Sequence, residues 1–225
     1  MALTDLLASF TLPHILVGGV ALTAFWIGAL SPKGRPLHRS AGRVHLLAMV
    51  AIIITGIPLT ALVYFNGHSV SAVFLGYLLV LVGFNSLVAW RAIRQKRDAA
   101  TFFRPGFLAL AVLTGLAGLA AVIMGIIASA PILIAFGTVG PIMAWQMIRA
   151  ANRPNPPRWW LRQHIGATIG NGIASHIAFF QIGLSRFLSG FDAAIVLQLA
   201  WFGPLVVGIL AATWMTRRYV GTRQA

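Results

Sequence analysis

Three observations predict an all-α fold embedded in a membrane. Of 225 residues, 59% are apolar and only 9% charged, whereas soluble globular chains run near about 45–50% and about 25%. The apolar residues gather into seven stretches, each close to the roughly 20 residues that cross about 30 Å of hydrocarbon. Charged residues are confined to the connections, where basic and uncharged segments alternate.

The stretches are 11–30, 44–65, 71–90, 105–129, 131–148, 163–184 and 193–216, so residues 1–225 form one transmembrane helical domain. The first has no basic region before it and no small-residue cleavage site after it, which makes it a retained helix rather than a signal peptide. After it come Lys33, Arg35, Arg39 and Arg43, with Gly34 and Pro36 forming the turn and Ser40 a candidate cap. The second stretch contains Pro58, and only the uncharged 66–70 separates it from the third. Arg91, Arg94, Lys96, Arg97 and Arg104 then lead to the fourth. A turn at Ala130 leads to the fifth, which is short, starts at Pro131 and contains Pro141. Arg149, Arg153, Arg158 and Arg162 precede the sixth, and Arg217, Arg218 and Arg223 follow the seventh, which contains Pro204. Each internal proline removes a helix hydrogen bond and is expected to kink its span.

Sixteen of the seventeen basic side chains thus lie on one side and only Arg186 on the other. The positive-inside rule then places the N-terminus outside and the C-terminus in the cytoplasm of a bacterial-type inner membrane. The acids are Asp5, Asp98 and Asp192 alone, so most of the cations are expected to meet anionic lipid headgroups. Nucleic acid is not expected, because the basic residues punctuate apolar runs instead of lining one polar face.

No cysteine occurs, and no acid or lysine lies inside a span. Thiolate chemistry, a retinal-type Schiff base, a carboxylate proton relay and carboxylate-bridged metals all lack their residues. With no internal repeat visible, an inverted-repeat transporter has no support. Small residues recur at four-residue spacing in the sixth span (Gly166, Gly170, Ala174, Ala178) and the fourth (Ala117, Ala121, Gly125), a register for tight packing within the chain or for an oligomer contact.

Histidine is the remaining ionisable type. His38, His45 and His164 fall toward the basic side, and His14, His68 and His176 toward the other. Two such layers would suit b-type haems held by imidazoles from facing helices, or a transition metal, with His38 and His164 the metal-ligand pair and Arg39 and Arg43 neutralising an anionic edge. Small residues of the fourth and sixth spans would open the slot. Interfacial anchoring of the rings explains the same positions without any ligand. A second polar feature is the stripe His164, Thr168, Asn171 and Ser175, within roughly 60° on one helix face. It would line a path or pocket for a small polar solute, making the protein a non-enzymatic carrier or sensor, or it would exchange hydrogen bonds with Asn85 and Gln146. His176 points about 120° away from His164.

At the motif Lys33-Gly34, His38-Arg39-x-x-Gly42-Arg43, with His14 and Gly18 before it and Met49 after it, the chain resembles a family of bacterial multi-pass membrane proteins known as domain of unknown function number 2306. Trp159-Trp160, His164, Ala178-Phe179, Trp201, Pro204, Gly208 and Arg218-Tyr219 are similar to the later motifs of that family. The resemblance spans nearly the whole chain. It implies a multi-pass bundle, brings no activity and gives weight to His14, His38 and His164, while the family's pattern asks for no histidine at the positions of His45 and His176.

Overall fold

The structure is a computed structural model and describes residues 3–187 and 192–221. Every regular element among them is helical: α1 (Leu3–Ala8), α2 (Thr11–Leu30), α3 (Pro36–Phe65), α4 (Ser69–Arg94), α5 (Ala99–Phe102), α6 (Pro105–Ile127), α7 (Pro131–Gly137), α8 (Val139–Ala151), α9 (Trp159–Phe187) and α10 (Ala193–Val220). Six segments are long and apolar enough to cross a membrane: Leu3–Leu30, Pro36–Phe65, Ser69–Arg94, Pro105–Ile127, Pro131–Ala151 and Ala193–Val220. The 29-residue α9 carries the polar stripe and is not among the six. Arg223 lies outside the described residues.

The distribution of side chains is inverted relative to a water-soluble bundle. Leu47, Val207 and Ile127 are 70%, 67% and 75% exposed, whereas Ala21, Ala89, Ala111 and Ala121 are fully buried. Lipid solvates the large apolar groups, and close helix approach needs the small ones inside.

Several helices extend past the expected stretches. α3 begins at Pro36, eight residues before the expected 44, because Pro36 occupies the first turn, where its missing N–H costs nothing. Ser40 therefore lies inside the helix and is not its cap; Arg35 holds that position. Gly34, at φ +77, makes the turn as expected. Pro58 and Pro204 sit within unbroken helices, but the expected fifth span divides into α7 and α8 at Thr138. Pro141 has no N–H for Gly137 O, and the Tyr77 hydroxyl enters the next rung. It donates to Phe136 O (3.0 Å) and accepts from Gly140 N–H (2.9 Å), standing in for the direct helix bond between those groups.

Two packing units result. In one, α6 lies against α7 and α8 along glycines: a Cβ at Gly118 would meet Gly137 O at 2.5 Å, and one at Gly140 would meet Thr114 O at 2.6 Å. In the other, α2, α3, α4 and α9 surround a common axis. Hydrogen bonds fix their directions, since His14 meets Thr55, His45 meets Ala21 and His38 meets Gly28, making α2 and α3 antiparallel. Asn171 meets Ser86 and His164 meets Ala89, making α4 and α9 antiparallel. Because α3 and α4 are successive antiparallel helices, α3 and α9 run the same way on opposite sides of the axis.

Candidate functional site

The axis of this four-helix unit carries a column of polar side chains whose register is matched on α3 and α9. His38, Gly42, His45 and Met49 on α3 have the same spacing as His164, Thr168, Asn171 and Ser175 on α9. The match is anchored where Ser175 Oγ lies 3.7 Å from Met49 Sδ, and equal spacing back along two helices that run the same way then brings His38 to the level of His164. His45 is thus level with Asn171, and Gly42 with Thr168.

Each axial histidine is oriented by a backbone carbonyl of a neighbouring helix. His38 Nδ1 donates to Gly28 O (2.9 Å), His45 Nδ1 to Ala21 O (2.9 Å) and His164 Nδ1 to Ala89 O (3.3 Å). Gly28 O is free to accept because the residue four positions on is Pro32, which has no N–H. Lys33 Nζ shares that carbonyl at 3.1 Å and also bonds Ala29 O, closing the C-terminus of α2; its partial burial holds the ammonium below the usual lysine range. A carbonyl oxygen can only accept, so Nδ1 carries the proton, and in the neutral ring the lone pair stays on Nε2. Among the described residues the hydrogen bonds of His38 and His164 are made by Nδ1 and leave Nε2 without a partner, and the Nε2 of His45 is unpartnered and fully enclosed.

Thr168 Oγ1 and Asn171 Oδ1 are likewise enclosed and unpartnered, although Asn171 Nδ2 donates to Ser86 Oγ at 2.9 Å. Ser175 donates to Asn171 O at 3.0 Å. The amide therefore pairs with Ser86, which the sequence did not single out; Asn85 instead sits against Gly170, and Gln146 is exposed on α8. A Cβ at Gly42 would meet nothing within 4 Å, so the axis is open there.

The other expected positions are placed differently. His14 Nδ1 donates to Thr55 Oγ1 (2.9 Å), whose own proton goes to Ala51 O, at the far end of α3. His68 is exposed before α4. His176 has both nitrogens engaged, Nδ1 with Gly172 O (2.6 Å) and Nε2 accepting from Trp26 Nε1 (2.9 Å), so no lone pair is left for a ligand. It is only half-buried, in an aromatic group with Phe25, Trp26 and Phe180. The histidines accordingly do not form two layers. They spread along the length of the unit, with His45 and His176 both contacting the Phe25 ring at 5.7 and 5.6 Å between centroids.

Arg39 and Arg43 are exposed and stand about 100° and 140° around α3 from His38, so helix geometry turns them away from the axis. The cation beside His38 is Lys33. Nor do the small residues of the fourth and sixth spans open a common slot: those of α6 are filled by α7 and α8, while Gly166 and Ala178 of α9 face outward. Arg91 is a basic residue whose role charge counting could not find. It is buried, donates to Thr101 O (2.7 Å) and Phe102 O (2.9 Å) and stacks on Phe107, tying α5 to α4.

Among the described residues no group of three or more His, Asp or Glu side chains is placed to hold a metal ion. The chain matches no protein-family model, no curated protein and no solved structure.

Proposed function

We propose that this is a seven-span inner-membrane protein, N-terminus outside and C-terminus cytoplasmic, that holds a b-type haem through His38 and His164. α9 is the sixth span in this reading, its polar face turned to the bundle axis and its apolar side packed on α10, where Ile169 and Ile173 lie against Gly208. The 16-to-1 distribution of basic residues supports the orientation, and the motifs around His38 and His164 support kinship with the domain of unknown function number 2306.

One observation carries the haem assignment: two imidazoles stand at the same level on opposite helices, each with Nδ1 held by a backbone carbonyl, Gly28 O for His38 and Ala89 O for His164, and with no partner at Nε2 among the described residues. Metal-ligating histidines are oriented by such hydrogen bonds. Two imidazoles are too few for the usual four-coordinate zinc site but are the protein ligands that a b-type haem would need. Gly42, with open space at its Cβ position, leaves room on the axis, and Lys33 offers a cation at the basic end. Bound haem would supply one-electron chemistry. His38 and His164 would hold and orient it, and the surrounding apolar helices would exclude water. Protein purified from cells supplied with haem precursor should show a Soret band that shifts with dithionite and is lost in His38→Ala and in His164→Ala. A colourless, iron-free preparation would overturn the assignment.

The unpartnered Thr168 Oγ1 and Asn171 Oδ1 favour the carrier or sensor as the second reading, in which a small polar solute donates hydrogen bonds to them. That colourless preparation, together with solute-dependent thermal stabilisation lost in Asn171→Leu, would select it.

A further inference from the structure

One heptad along the axis from the His38/His164 pair, about 10 Å farther on, a second group of side chains has unsatisfied lone pairs. His45 is 2% exposed, with its proton committed to Ala21 O and Nε2 unpartnered. Level with it across the axis, Asn171 is 0% exposed and its Oδ1 is unpartnered. Met49, 1% exposed, lies one turn along α3 on the same face as His45, its sulfur against Ser175. Every unsatisfied atom here is an acceptor, and leaving such groups buried without partners costs about 1–3 kcal/mol each. What they lack is a hydrogen-bond donor or a cation.

We propose that His45 Nε2 and Met49 Sδ bind a soft monovalent cation, copper(I), with Asn171 Oδ1 facing it from α9. The identity of the ion follows from charge and donor type. No carboxylate lies in any apolar stretch and the chain is +14 overall, so nothing here neutralises a buried ion. Because the cost of burying charge grows with its square, a divalent ion would cost about four times as much as a monovalent one. Sodium and potassium need a shell of oxygens, whereas thioether and imidazole select copper(I), which is content with two or three neutral ligands. Phe25 closes one side, its ring against His45 and pressed onto Gly172, where a Cβ would come within 2.3 Å of it. No electron is transferred in binding, and the ion must be supplied already reduced.

This site uses no residue of the haem pair, so the two proposals fail separately. The test is titration of the full-length protein in lipid nanodiscs with copper(I) under ascorbate, against a chromophoric copper(I) chelator, with silver(I) as a redox-inert surrogate. One ion per chain is expected, with one sulfur neighbour by X-ray absorption. Met49→Leu, a volume-conserving change that keeps the fold, should weaken binding by at least about tenfold, and His45→Gln should do the same. His38→Ala and His164→Ala should leave the copper(I) titre unchanged while abolishing any Soret band. Absence of stoichiometric binding, equal binding by wild type and Met49→Leu, or tighter binding of zinc(II) than of copper(I) would overturn the proposal; Met49→Leu decides it even where His45→Gln does not fold.

Discussion

The α6–α7–α8 unit and the α2–α3–α4–α9 unit are both built on small residues but spend them differently. In the first, glycines bring backbone against backbone: Gly118 meets Gly137 O, Gly125 meets the backbone of Ile134, and Gly137 meets Val122. Where its hydrogen bonding opens at Thr138, Tyr77 bridges Phe136 O and Gly140 N–H. In the second, Ala21, Ala24, Gly28 and Ala89 leave an axis into which His45, Asn171 and Thr168 project with atoms that nothing satisfies. A closed unit optimises stability. Unsatisfied polar atoms in a closed interior cost stability and mark where a ligand would repay it.

The largest expected effect tests the closed unit. Gly118→Ala would drive a methyl into a carbonyl and a proline ring that cannot both move, so thermal unfolding in detergent should show a loss of about 3 kcal/mol. A loss below about 1 kcal/mol would mean that the helices are not in such close contact. Tyr77→Phe should follow at about 2 kcal/mol, because Phe136 O and Gly140 N–H lose the hydroxyl that joins them. For the axial unit the sign should differ: Asn171→Leu combined with Ser86→Ala removes a hydrogen-bonded pair together with an orphaned oxygen, and should leave stability unchanged or raise it by about 1 kcal/mol. A loss as large as that of Tyr77→Phe would erase the distinction between the units.

The smallest effect lies outside both. Asp98 accepts from Thr101 N–H (2.9 Å) and from the Thr101 hydroxyl, and these bonds hold its carboxyl below the usual aspartate range. The folded state thus favours the ionised form, so its contribution is present at neutral pH and fades as pH falls through the carboxylate range. The protection factor at α5, that is, hydrogen exchange corrected for its intrinsic pH dependence, should fall slightly on acidification in the wild type and stay constant in Asp98→Asn.

Much of the helical layout was legible because hydrocarbon imposes length and apolarity on anything that crosses it. The stretch 11–30 coincides with α2, and 193 marks the start of α10. The ends of α3 and α4 were missed by up to eight residues, since a helix continues into the headgroup region while the apolar signal stops at its boundary. The split at Thr138 was not legible, because it depends on a hydroxyl 61 positions away in sequence. Of the candidate site, the register of Thr168, Asn171 and Ser175 on one helix face could be read from 100° steps. Ser86, and the link between Met49 and Ser175, have no sequence signal.

Composition and charge by themselves determined that the chain is helical, that its interior holds neither thiolate nor carboxylate, and that imidazole is the chief ionisable group there. These are properties of residue type and order along the chain. Tertiary structure decided which imidazoles keep a lone pair. His176 satisfies both nitrogens with Gly172 and Trp26, whereas His38, His45 and His164 each commit only Nδ1. It also decided that Arg39 and Arg43 face away while Lys33 turns toward Gly28. The physical reason is that a hydrogen bond extends only about 3 Å, so the partner of a side chain depends on which helix lies beside it, and pairings such as α3 with α2, or α9 with α4, join residues as far as 85 positions apart.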